Sequence, residues 1–387
     1  MIKNKKEERK YFNFVPYKKI YATLLDWLIL LILALGILFG LVAPILSAQT
    51  SYQELTKQKD DNYATVQNIG IESKLIAVDS SSHTNYTFDM MFKMYVAEHI
   101  LLSYEYSPDN LSNVGFKTDL IDKSIPKASY TDDFLGYFYT NYLVDKKDEN
   151  NLLIVASDNY KEYYCQNILK IDENDWWVKD GDNIPHLKDD YARYLTEYVL
   201  LGRSYSTIRN VYQNFEAYFS SLYSKAGSDL MKVPAYINAY NNYNDAYDKL
   251  NTIRTNWTNI VTGILFLLTY IVYPLVRGNY QTLGCQIFHL GYININHQFK
   301  YYHYLLRIAG SFITTFFILG LVGLIFVGSS YFGIVIFSLG SSAFTVGIGV
   351  GLSLIINLIS FITTLFTRKG KDFGDIISGT QDYEIIY

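Results

Sequence analysis

Four apolar stretches, at 24–46, 257–276, 304–328 and 334–366, constrain this chain more than any other feature of its sequence. About 20 helical residues cross a hydrocarbon core of about 30 Å, and each stretch is long enough. Backbone in lipid must satisfy its own N–H and C=O groups, so the expected fold is an all-α membrane protein with four transmembrane helices. The last stretch has 33 residues, about 50 Å as one helix and too long for an ordinary span. It therefore divides into an external connector at 329–339, with 334–339 lying in the interface, and a span at 340–366. The other spans are expected at 20–47, 257–276 and 304–328. Trp257, Tyr270 and Tyr273 sit near the ends of the second, where aromatic residues favour the interface, and Pro274 kinks or closes it. The first stretch runs into Leu46-Ser47-Ala48, small residues of the kind that precede signal cleavage. It is longer than the about 7–15 residues of a signal peptide's apolar region, so an uncleaved anchor is expected.

Charge sets the orientation. Net charge is only −4, but residues 48–256 hold 20 Lys and Arg against 30 Asp and Glu, while the rest of the chain holds 13 against 7. Basic residues collect beside the spans: Lys3 to Lys19 before the first, Arg277 after the second, Arg307 at the start of the third, and Arg368, Lys369 and Lys371 after the fourth. Basic flanks stay in the cytoplasm. The tail 1–19, the loop 277–303 and the tail 367–387 are thus expected inside, with residues 48–256 extracellular. The implied contact is the lipid bilayer of a multi-pass cell-membrane protein, and not nucleic acid. The richness in Tyr, Asn, Ile and Lys resembles proteins of AT-rich bacterial genomes.

The acidic block 48–256 reads as mostly helical. Phe88, Met91, Phe92, Tyr95, Val96, His99, Ile100 and Leu102 recur at threes and fours. Residues 129–133 read as a helix start before Phe134, and 187–202 and 205–223 as two helices parted near Gly202. Residues 229–257 run towards the second span. One short strand is expected at 151–157, and linkers at 79–83, 107–112 and 172–182. The tyrosines of 205–223 and 233–250 suit a helical core or, as the alternative, stacking on carbohydrate or a partner. Cys165 and Cys285 fall on opposite sides of the membrane in this topology, which excludes an intrachain disulfide. The histidines match no metal spacing and are expected to be solvated or to face headgroups, so no metal and no cofactor is expected. No catalytic motif occurs, and the chain does not read as an enzyme.

Two constellations stand out. Asp26 is the only ionisable residue in 24–46, and a carboxylate in a membrane helix usually pairs with something. Lys19 lies about two turns before it on the same face, and Arg307 is expected at similar depth. The three form either an ion pair locking spans 1 and 3 or a site where Asp26 binds a cation or carries a proton. Ala343, Gly347 and Gly351 are spaced four apart, a small-residue face that lets a neighbouring helix approach. Gly310, Gly320 and Gly323 suit the same role on the third span.

Three patches together resemble the RDD family of bacterial membrane proteins, named for one arginine and two aspartates. The family's Arg-x-x-Ala-x-x-x-Asp is similar to Lys19-x-x-Ala22-x-x-x-Asp26, with lysine in place of arginine. Its Gly-x-Thr-x-Gly-Lys is similar to Tyr280-Gln281-Thr282-Leu283-Gly284-Cys285, where the first glycine and the lysine are replaced. Its tail pattern, Asp followed by Gly-Thr, is matched by Asp375, Gly379 and Thr380. The resemblance covers 20–47 and 257–385 and leaves 48–256 as an insertion. It implies transport of ions or small solutes, or assistance to transport, with Lys19, Asp26, Thr282, Arg307 and Asp375 as the coupling cluster. Four spans are few for a transporter, so a homo-oligomer or a larger membrane-protein complex is expected. The rival expectation is a non-transporting scaffold whose extracellular domain binds a partner protein or cell-wall component.

Overall fold

The computed structural model describes residues 16–76, 134–155, 177–179, 185–188, 194, 206–278, 280–294, 301–339, 342–366 and 371–384. The expected helix at 88–102, the helix start at 129–133, the linkers 79–83 and 107–112, most of the helix at 187–202, and Cys165 lie outside these residues. Two compact units emerge, one of Met1–Thr56 with Tyr247–Tyr387 and one of Lys57–Ala246. In chain order the helices are α1 (Pro16–Ala48), α2 (Thr50–Glu72), α3 (Phe134–Phe138), α4 (Ser206–Leu230), α5 (Pro234–Arg277), α6 (Leu283–Ile287), α7 (Tyr301–Phe326), α8 (Val346–Phe366) and α9 (Phe373–Ser378). Three antiparallel strand pairs join them: β1 (Trp177–Lys179) with β2 (Pro185–Leu187), β3 (Leu290–Asn294) with β6 (Thr380–Glu384), and β4 (Val335–Leu339) with β5 (Ser342–Thr345).

The protein is mostly helical, and α1, α5, α7 and α8 are long and apolar enough to cross a membrane. Their outward faces carry exposed Leu28, Ile32, Leu41, Ile264, Leu354, Ile355 and Leu358. So continuous an apolar surface is stable against lipid tails and not against water. Inside, one apolar cluster gathers Ala34, Leu38, Val42, Leu46, Val261, Leu265, Val322, Phe326 and Tyr331. A second joins Trp27, Leu30, Phe266, Tyr270, Ile318 and Leu319. Tyr331 marks one end of the bundle and Lys19 the other.

Proline shapes two of the spans. Helices α1 and α5 each widen into a π-turn, at Leu38–Val42 and Leu268–Val272, just before Pro44 and Pro274 resume the α-helix. A proline within a helix cannot bond the carbonyl four residues back and crowds it. The wider turn absorbs that crowding, so Pro274 neither ends nor sharply breaks α5. The carbonyl of Tyr270, which Pro274 cannot bond, accepts the Tyr304 hydroxyl at 2.7 Å.

The fourth span departs from expectation. It begins at Val346 and not at residue 340, because 335–339 and 342–345 pair as a hairpin. Val335, Ile336 and Phe337 favour a pleated strand over a helix turn, and Phe337 stacks on Phe344 with centroids 4.8 Å apart. Ala343 thus sits on β5 opposite Ser338, off the helix that was to carry it. Gly351 faces open space and Gly347 lies against Phe332, so the stripe of 343, 347 and 351 is not a helix seam, although Gly349 between them lies against the Phe316 ring of α7. Instead Gly320 receives Val350, and Gly323 receives the Tyr331 ring.

A polar stripe joins α7 and α8. Ser353, Asn357, Ser360 and Thr364 are buried on one face of α8. Ser353 donates to the Ile313 carbonyl at 2.7 Å, and Asn357 to that of Thr314 at 2.7 Å. Such bonds average about 0.6 kcal/mol in membranes, enough to fix the register of two helices rather than to drive their association.

In the second unit, α4 buries Phe219, Leu222 and Ala226, and Tyr223 donates to the Leu75 carbonyl at 2.7 Å. Asp229 is fully buried between Lys225 and Lys232. Of the expected strand at 151–157, the described residues 151–155 contribute an isolated bridge between Lys147 and Leu153, while 177–179, expected within a linker, forms β1. Tyr240 and Tyr247 are exposed on α5 and do not belong to a core.

Candidate functional site

Two short helices close the Lys19 end. Thr282 caps α6 by accepting from the Cys285 N–H. Asp372 caps α9 by accepting from the Asp375 N–H at 2.7 Å, and the Asp375 carboxylate answers to the Asp372 N–H, completing a capping box. Each helix lies tight on a span at a glycine. A methyl group on Gly284 would overlap the Ala22 carbonyl, and one on Gly310 would stand 2.9 Å from the Gly374 Cα.

These contacts place the charged residues. Lys19 and Arg307 come together, but on Asp375 and not on Asp26. Both donate to the Asp375 carboxylate, one to each oxygen. Lys19 also lies 3.2 Å from Asp372, and Arg307 3.1 Å from the Thr380 hydroxyl, which itself donates to Asp375 at 2.9 Å. Gly379 takes a left-handed turn (φ 65°) that glycine adopts without strain, and this turn brings Thr380 back under the carboxylate. Burial alone would raise the pKa of Asp375; Lys19 and Arg307 outweigh it and hold the carboxyl at about 2. His303, expected in solvent or against headgroups, is buried with Nδ1 2.8 Å from the Ser378 carbonyl oxygen.

Asp26 stands apart. Its carboxylate accepts the Gly284 N–H at 2.8 Å and a hydrogen bond from the Thr282 hydroxyl, both neutral donors. Among the described residues it makes no ion pair with Lys19, Arg307 or any other cation. It lines a cavity of about 60 Å³ shared by Lys19, Thr23, Arg307, Ser311, Thr314, Asn357 and Asp372. One water needs about 10–15 Å³ of such space, so the cavity suits a few waters or a small hydrated ion and not a metabolite. The indole N–H of Trp27, on the same wall, is buried and has no partner among the described residues. A larger cavity, about 480 Å³ between α5 and α7 towards Tyr331, has no charged lining residue. No group of three or more His, Cys, Asp and Glu among the described residues could hold a metal.

Sequence reasoning missed Asp372, Gly374, Ser378 and the α8 stripe. A signal existed for two of these. Asp372-x-x-Asp375 is an acidic variant of the capping-box spacing, and 353, 357, 360 and 364 repeat with the helical period inside an apolar run.

Comparisons with protein-family models, with curated proteins and with solved structures found no match.

Proposed function

We propose that the chain is an RDD-like multi-pass protein of a bacterial cell membrane that passes a proton or a monovalent cation by way of Asp26. One observation carries this reading: Asp26 is buried in a span, lines a polar cavity and has only neutral donors, while Lys19 and Arg307 are engaged by Asp372 and Asp375. An unpaired carboxylate at that depth is costly unless a proton or a cation accompanies it. In this reading Lys19, Arg307, Asp375, Gly379 and Thr380 form a fixed structural knot, and Asp26 with Thr282 and Gly284 is the part that exchanges its partner. The basic flanks put the Lys19 end in the cytoplasm and 48–256 outside. Association with further copies would complete a path that four spans alone leave short.

The test is proton and sodium flux into proteoliposomes for the wild-type chain and for Asp26→Asn. Flux that falls at least tenfold in the variant supports the reading. No wild-type flux, or equal flux from both, removes it and leaves the scaffold expectation, which capture of a surface partner by the full-length protein then tests.

A further inference from the structure

The Lys19 end is built twice. Thr282 and Asp372 cap α6 and α9, each accepting from the third backbone N–H of its helix. Gly284 and Gly374 follow two residues later, and both are buried. His289 (φ 56°) and Gly379 (φ 65°) make the same left-handed turn after each helix. Strands β3 and β6 then begin at Leu290 and Thr380. Every one of these pairs falls at one constant offset in the chain.

The spans obey the same rule at a second constant offset. Lys19, Ala22, Asp26, Leu30 and Ala34 on α1 correspond to Arg307, Gly310, Thr314, Ile318 and Val322 on α7. All of them are buried except Thr314, which is half-buried. The contacts correspond as well. Ala22 meets Gly284 in the first half, and their counterparts Gly310 and Gly374 meet in the second. The two offsets differ because the connection between the first two spans contains the unit Lys57–Ala246.

The register of β3 with β6 fixes the symmetry. Leu290 pairs with Glu384, Asn294 with Thr380, and the centre is Tyr292 with Asp382, which are equivalent positions. Antiparallel pairing of equivalent strands about equivalent residues is what a two-fold axis produces. Since α1 and α7 both start at the Lys19 end, that axis runs along the bundle, the arrangement of parallel internal repeats. The cavity lies on it: Lys19 with Arg307, Thr23 with Ser311, Asp26 with Thr314, and Thr282 with Asp372 all line its wall as equivalent pairs.

We infer that the bundle is two copies of one span–span–helix–strand unit, and that Thr314 with Asp372 is the second half of a double site for monovalent cations whose first half is Asp26 with Thr282. The cation assignment rests on the function proposed above; the duplication does not. Each half supplies one carboxylate and one hydroxyl, in opposite order: span carboxylate and cap hydroxyl in the first, span hydroxyl and cap carboxylate in the second. One carboxylate per half balances the charge of one monovalent ion. The second half already holds a cationic group, the Lys19 ammonium at 3.2 Å from Asp372.

Relocating the carboxylate tests the equivalence. In the purified full-length protein Asp26→Thr is expected to lower the melting temperature by several degrees. Adding Thr282→Asp, which gives the first half the arrangement of the second, is expected to restore it. A double variant no more stable than Asp26→Thr overturns the equivalence, as does a double variant that cannot be recovered when Asp26→Thr can. Radiolabelled sodium binding supplies the second readout. The wild-type chain is expected to bind one ion and Lys19→Gln two. One ion in both overturns the second half-site. Restored melting with no sodium bound by any variant keeps the duplication and removes the cation reading.

Discussion

Asp375 is wholly buried, yet its carboxyl is held ionised by the two cations that converge on it. Its folded-state pKa lies below its unfolded value. It therefore contributes stability that is complete above about pH 4 and is lost as the pH falls towards 2. Removing the one carboxylate that faces both Lys19 and Arg307 leaves buried charge without its main partner, at a cost of about 3 kcal/mol or more. Asp375→Asn is thus expected to melt well below the wild-type chain at pH 7 and to show a shallower acid-dependent decline between about pH 4 and 2. Equal melting curves at pH 7 would show that the knot contributes nothing. Asp26→Asn is expected to behave differently, with a small change in melting beside a large change in flux, because Asn keeps a carbonyl oxygen in place for the neutral Gly284 and Thr282 donors, as the shorter side chain of Asp26→Thr does not.

At the scale of elements, glycines divide by what faces them. Gly310 lies against the Gly374 backbone, which cannot give way as a flexible side chain can. Gly310→Ala is expected to destabilise the bundle by about 1–3 kcal/mol. Gly351 faces open space, so Gly351→Ala is expected to stabilise by about 0.5–1 kcal/mol through helix propensity alone. Thermal melts of both variants in detergent decide this, and the reverse order would restore the small-residue seam on α8. The spacing of Ala343, Gly347 and Gly351 suggested that seam because periodicity is a property of the chain alone. Whether a helix exists at 343, and what lies opposite 351, depends on β4 and on α7, which no local pattern reports. The four spans were legible for the opposite reason: about 20 apolar residues have few ways to satisfy their backbone in lipid. Lys19, Arg307 and Asp375 were expected in one cluster with Asp26 and Thr282, but which of them pair was not legible. It turns on a capping box and a left-handed Gly379, which decide where a carboxylate separated by most of the chain finally points.

For the whole molecule, sidedness is the expectation on which the proposed function depends. Cys285 is buried, so its failure to react with a thiol reagent says nothing about which side it faces. Ile287 and Phe337 are each about half exposed near opposite ends of the bundle. In a chain with both native cysteines replaced by serine, Phe337→Cys is expected to react with an impermeant maleimide on intact cells. Ile287→Cys is expected to react only after permeabilisation. The opposite pattern would invert the topology and place 48–256 in the cytoplasm.

Asp375 and β6 follow the fourth span, and this order of synthesis has a price for the growing chain. Lys19 and Arg307 are handed to the membrane with the first and third spans, before the ribosome has made the carboxylate they converge on. Until then the first half is complete in sequence and unfinished in charge, and only the arrival of the second half closes both. A nascent chain that stalls before residue 372 leaves Lys19 and Arg307 without the carboxylates that engage them in the finished bundle. The ion pairs that fix the finished bundle can therefore form only after α9 has been made.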